Sequence, residues 1–83
     1  LDRSCDEQTE NRMRELILSQ EGVLGLSLLH TRMFGARIYV DAEIEVDGEM
    51  KLKDSHEIAH RVHDAIEREF ETVKHIMIHV NPY

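Results

Sequence analysis

Imidazole and carboxylate groups ligate zinc and related first-row metal ions when several converge from rigid elements. This sequence carries six histidines and seventeen acidic residues. Four of these form the candidate ligand set: Asp41 and Glu43 in one alternating segment, His79 in another, and His56 at the start of a helical segment. A line of three, His56, His60 and His63, has spacings of four and three that place it on one flank of a helix. That flank is read as a solvated helix face and not as a zinc-hydrolase motif.

Other chemistries find little support. The glycines are scattered at Gly22, Gly25, Gly35 and Gly48, so no phosphate-cradling loop is present. No serine or cysteine sits in a nucleophile motif, and a small sheet offers little concavity for acid–base work, so an enzyme is not expected. The single cysteine, Cys5, allows no internal disulfide and suits a reducing cytoplasm. A formal charge of −7 repels phosphate backbones and anionic lipid and concentrates cations, so metal ions are the expected partners and nucleic acid is not.

The elements that must position the ligands follow from periodicity. Ser4 stands three residues before Glu7, the capping-box spacing, so a first helix is expected to begin near Ser4 to Asp6, with Met13, Leu16, Ile17 and Gln20 as its inner stripe. Glu21-Gly22 stops it. Val23 to Arg32 reads as a strand, Met33 to Ala36 as a connection, and Arg37 to Asp47 as a second strand. In that second strand Ile38, Val40, Ala42, Ile44 and Val46 alternate with Tyr39, Asp41, Glu43 and Glu45, leaving one face acidic and wet. Asp47 to Glu49 turns into a helix capped by Asp54 or Ser55 and running to about Phe70, with Ile58, Ala59, Val62, Ile66 and Phe70 inward. Val73 to Val80 alternates again, and Pro82 closes it.

A hairpin followed by a right-handed helical crossover implies an α+β domain of order αββαβ, with two helices on one face of a three-stranded mixed sheet. With 83 residues it is a single domain, expected to bury only about 60% of its unfolded surface, so a partner subunit would help. No apolar run approaches the roughly 20 residues of a spanning helix, and no signal peptide is visible.

Glu21-Gly22-Val23, Thr31-Arg32 with Gly35, Val40-Asp41 through Val46-Asp47, Ser55-His56-Glu57-Ile58-Ala59 and Ile78-His79-Val80-Asn81-Pro82 occur in an order and spacing that is similar to the cytoplasmic C-terminal domain of cation diffusion facilitators. These are proton-coupled exporters of zinc, iron, manganese and related ions. The resemblance implies a ferredoxin-like, metallochaperone-like homodimer on the cytoplasmic face of a membrane. On this reading residues 1–5 are the linker from a transmembrane domain and residues 6–83 the regulatory and dimerisation domain. It also implies metal binding at the dimer cleft, where zinc-exporting members use histidines from strands one and two and helix two, with a histidine and an aspartate two apart on the last strand. His56 and His79 match that pattern; Ser27 falls where the strand-one histidine would be, Asp41 or Glu43 stands for the strand-two ligand, and Asn81 replaces the aspartate. The harder ligand set shifts preference from zinc toward manganese or iron, with weak regulatory binding of the divalent ion. The alternatives are a metal-independent dimerisation module and a ferredoxin-like small-molecule sensor, for which Glu21 to Gly25 is the candidate loop.

Overall fold

The computed structural model describes residues 3–83. Its elements are α1 (Glu7–Leu18), β1 (Gly25–Phe34), β2 (Arg37–Val46), α2 (Leu52–Glu69) and β3 (Val73–Pro82), in the expected order. β2 lies between an antiparallel β1 and a parallel β3. The parallel pairing follows from α2, which carries the chain back across the sheet before β3 begins.

α1 is capped by Asp6 and not by the expected Ser4 and Glu7 pair. The Asp6 carboxylate accepts the Thr9 amide at 2.7 Å and the Thr9 hydroxyl at 3.0 Å. It stands at the position from which a side chain reaches the third helical amide, whereas Ser4 lies two residues too early. The hydrogen bonds from Thr9, led by its backbone amide, hold the Asp6 carboxyl below its ordinary value.

Met13 and Ile17 of α1 are fully buried. Gly22 then turns the chain with φ 93°, and a Cβ there would stand 2.6 Å from Cδ1 of Ile58. Only glycine satisfies both the left-handed backbone and this close approach to α2.

The hairpin turns at Gly35 and Ala36, with Gly35 at φ 61°. β1 therefore starts and stops two residues later than the apolar run Val23 to Arg32 suggested. Its register slips between Leu26 and Leu28, a bulge that places Ser27 out of step and conceals the period of two.

α2 also begins earlier than expected. Lys51 is its N-cap without a side-chain bond, so neither Asp54 nor Ser55 caps it. Ser55 is buried in the first turn and donates its hydroxyl to the Leu52 carbonyl at 2.7 Å, while Asp54 sits exposed where the helix dipole favours a negative charge.

The alternate residues Ile38, Val40, Ala42, Ile44 and Val46 of β2 point under the helices and are buried, as are Ile58, Val62 and Ile66 of α2. α2 packs over β3 and α1 over β1. One buried polar knot secures the incoming segment. Thr31, 1% exposed, accepts the Cys5 amide at 3.0 Å and donates its hydroxyl to Oε2 of Glu10 at 2.5 Å. Burial pushes the Cys5 thiol above its ordinary pKa.

Arg3 pairs with Met33 in an antiparallel bridge, so residues 3–5 are pinned to β1. Of the linker expected over residues 1–5, Leu1 and Asp2 lie outside the described residues. Among the described residues no helix is long and apolar enough to cross a membrane.

Candidate metal centre

Helices cover only one face of the sheet, so the polar side chains of β2 stand on the open one. Register with both neighbours arranges that face in rows: Gly25, Glu45 and Asn81; Leu28, Glu43 and His79; His30, Asp41 and Met77; Arg32, Tyr39 and His75. Two rows put an imidazole directly beside a carboxylate on the neighbouring strand, His79 with Glu43 and His30 with Asp41. Directly opposed residues of an antiparallel pair have Cβ atoms about 5 Å apart, so His30 and Asp41 are within reach of one ion.

Asp41, Glu43 and His79 thus share the face on which sequence periodicity placed them. Asp41 and Glu43 are half-buried and His79 is exposed. Asn81 donates its side-chain amide to Oε1 of Glu43 at 2.9 Å. A neutral donor at position 81 fixes that carboxylate, where an aspartate would repel it. Ser27 is exposed in the bulge, its hydroxyl donating to the Glu43 carbonyl at 3.3 Å, so it holds backbone and faces no ligand set.

His56 reaches this region from the other layer. It and His79 line one groove along the outer edge of β3, together with Asp47, Met50, Ser55 and Pro82. Among the described residues, however, the four expected ligands do not converge on a single point in one chain: the group with three ligand atoms in mutual reach is His63, Asp64 and Glu67 on α2. A flat sheet explains this, because it projects neighbouring side chains side by side and residues two apart on a strand are separated by about 6.8 Å.

His30 was not singled out from the sequence. Its signal lies in the hairpin register: once the turn is fixed at Gly35 and Ala36, position 30 falls opposite Asp41. The flank of α2 also needs a correction. His56-Glu57-Ile58-Ala59-His60 does spell H-E-x-x-H. All but Ile58 and Ala59 of these five are exposed, on a convex helix surface, and His60 faces Asp64 with Nδ1 to Oδ2 at 3.3 Å. His56, Glu57 and His60 line a wide-open hollow with Leu52, Lys53 and Arg61.

A second hollow, lined among others by Cys5, Asp6, Arg12, Glu69, Phe70 and Glu71, carries three carboxylates and a thiol whose pKa burial raises. The Arg12 guanidinium lies 5.0 Å from the centre of the Phe70 ring at its rim. Among the described residues the hollow holds no group of three ligand atoms in mutual reach.

Residues 5–83 match the family described as "Cation efflux protein, cytoplasmic domain". The chain is 32% identical over 82 residues to the cation-efflux pump FieF of Shewanella oneidensis, covering 99% of this chain and 27% of that protein. It is 26% identical to the manganese efflux system protein MneP of Bacillus subtilis, covering 100% of this chain and 28% of that protein. The chain therefore spans roughly a quarter of the length of these relatives. Among solved structures, MamM-CTD superposes with a TM-score of 0.89 at 27% identity, covering 93% of this chain and 98% of the other. A nickel form of a MamM-CTD variant gives 0.90 at 26% identity, covering 94% and 99%. With the same αββαβ fold and a family match running from Cys5 to the last residue, this chain belongs to the family of cation efflux protein cytoplasmic domains.

Proposed function

We propose that this domain homodimerises and senses cytoplasmic divalent metal for an attached transmembrane exporter, binding the ion with Asp41, Glu43, His56 and His79 drawn from two protomers. The observation that carries the reading is the open sheet face, where carboxylate and imidazole stand in adjacent pairs but too few meet in one chain to complete an ion's coordination. A second copy supplies the missing ligands. His30, beside Asp41, joins this set.

The physical switch is charge. Each copy carries −7, and two facing carboxylates about 6 Å apart at an effective dielectric constant near 20 repel by about 3 kcal/mol. Binding a divalent ion between them removes that penalty in the closed arrangement alone. Allosteric coupling is typically about 1–3 kcal/mol, so one or two such pairs suffice to bias a membrane part toward transport. The carboxylate share of the set favours manganese or iron beside zinc. Manganese is the ion in the name of one relative, and nickel is the ion in the structural neighbour's.

Leu28 and Met77 are exposed on the same face, 42% and 44%, and favour a second reading in which the face joins two subunits without metal. Titrating zinc, manganese and iron(II) into the isolated domain, with small-angle scattering and sedimentation as readouts, separates the two. The sensing reading expects a compact dimer on metal addition that His79→Ala and Asp41→Ala weaken. A dimer whose dimensions ignore all three ions would overturn it and leave the plain dimerisation module.

A further inference from the structure

Apart from the sheet face, α2 carries its own ligand array, and we infer that His60, His63, Asp64 and Glu67 on its outer surface form a second binding site for a zinc-class divalent ion. The positions are i, i+3, i+4 and i+7, which a 3.6-residue period gathers on one face. That face lies opposite Ile58, Val62, Ala65 and Ile66, the buried stripe that holds α2 against the sheet. The site is therefore built on a rigid element whose fold does not depend on the ion.

Three distances support it. Nδ1 of His60 stands 3.3 Å from Oδ2 of Asp64, and Nδ1 of His63 stands 3.5 Å from Oδ1 of the same carboxylate. The ligating atoms of His63, Asp64 and Glu67 all lie within 4.8 Å of one another. Bonds of about 2.0–2.2 Å at a tetrahedral angle put two ligand atoms of a zinc ion about 3.4 Å apart. Both imidazole-to-carboxylate separations are compatible with that spacing.

A further observation points to a ligand. Nδ1 of His63 is shielded from water yet has no hydrogen-bond partner. The His63 side chain is 39% exposed overall, so this one shielded, unpartnered atom is open to a cation without the ring leaving its place. Among the described residues no lysine or arginine pairs with Asp64 or Glu67; the partners of Asp64 are the two imidazoles of the proposed site. The rings of His60 and His63 lie nearly parallel with centroids 6.4 Å apart, and the His60 side chain, 79% exposed, is free to turn toward the group formed by His63, Asp64 and Glu67.

The donor set selects the ion class. Two imidazoles beside two carboxylates suit zinc, cobalt and nickel, and suit magnesium and calcium poorly because those ions take oxygen alone. His56, His60 and His63 also line a shallow trough with Ile78 of β3, so the site adjoins the groove that contains His56 and His79 without sharing its carboxylates.

The test uses the whole 83-residue chain with zinc chloride as the probe, read by calorimetry and by the imidazole nitrogen resonances of nitrogen-15 histidine. A variant with Asp41→Ala, Glu43→Ala, His56→Ala and His79→Ala removes the ligands of the proposed sensing site. We expect it to keep one zinc per chain, with the His60 and His63 resonances shifting in step. We expect His63→Gln with Asp64→Asn to lose that equivalent or weaken it at least tenfold, and magnesium to shift neither resonance. The wild-type resonances need no variant to fold. Unmoved His60 and His63 signals at saturating zinc, or full stoichiometry in the His63→Gln, Asp64→Asn chain, would overturn the assignment. Wild type binding no more zinc than the four-alanine variant would count against the sensing site and leave this one standing.

Discussion

Replacing Thr31 with valine keeps the shape of a 1% exposed side chain and deletes its hydroxyl. The Cys5 amide, which that oxygen accepts at 3.0 Å, is left buried without a partner, costing about 2 kcal/mol. Oε2 of Glu10 loses a charge-assisted bond, but Glu10 is half-buried and rehydrates, so its share is about 1 kcal/mol. The added buried methyl returns about 0.8 kcal/mol. The net loss is about 2 kcal/mol, a large part of the roughly 4–12 kcal/mol expected for a domain of this size. At about 4–8 °C per kcal/mol, the thermal midpoint falls by about 8–16 °C. Differential scanning calorimetry at one fixed protomer concentration checks it, because a dimer's midpoint depends on concentration. Thr31→Ser, which keeps the hydroxyl and sheds a methyl, serves as the control and loses about 1 kcal/mol. A Thr31→Val chain within about 0.5 kcal/mol of wild type, or more stable than Thr31→Ser, would refute the assignment of the knot as the fastening of the incoming segment.

Gly22→Ala is expected to lower stability by about 1–3 kcal/mol in urea unfolding, because φ 93° is strained for alanine and its Cβ would press on Ile58; an unchanged midpoint would contradict the close approach of the α1 terminus to α2. The Asp6 carboxyl has a folded-state pKa below its ordinary 3.8, so its stabilisation is present above that value and lost as pH falls through the folded one. Asp6→Asn caps without titrating, so circular dichroism between pH 5 and pH 2 is expected to show a shallower fall in melting temperature for the variant; equal slopes would mean the cap contributes nothing to acid stability.

Periodicity revealed most of the architecture. The strict alternation from Ile38 to Val46 identified the central strand and its two faces, and the stripe through Ile58, Val62 and Ile66 oriented α2. Caps were harder, since Ser4, Asp6, Asp54 and Ser55 are all competent and only the path of the chain selects one, or none. The bulge at Ser27 broke the alternation of β1, so neither its ends nor the opposition of His30 and Asp41 could be read without the turn. The candidate face was legible because Asp41, Glu43 and His79 obey a period of two. Their failure to converge within one chain was not, because convergence depends on distances between side chains that periodicity does not give. Asp64 and Glu67 were legible in principle as the continuation of the His56, His60 and His63 line.

The outer edge of β3 has one more consequence. Alternate residues along its length turn their amides and carbonyls outward, with no neighbouring strand among the described residues, along the border near the groove that holds His79. Such an edge is a template on which a foreign strand, or the same strand of another copy, can extend the sheet indefinitely. β1 is blunted at its own border by Arg3 and by the bulge, whereas β3 relies on Lys74 and on Pro82, which cannot donate. The charge of −7 then acts as a colloidal guard, holding free domains apart in solution. An ion that neutralises facing carboxylates also lowers that guard, so sustained metal overload would expose this domain to strand-by-strand aggregation.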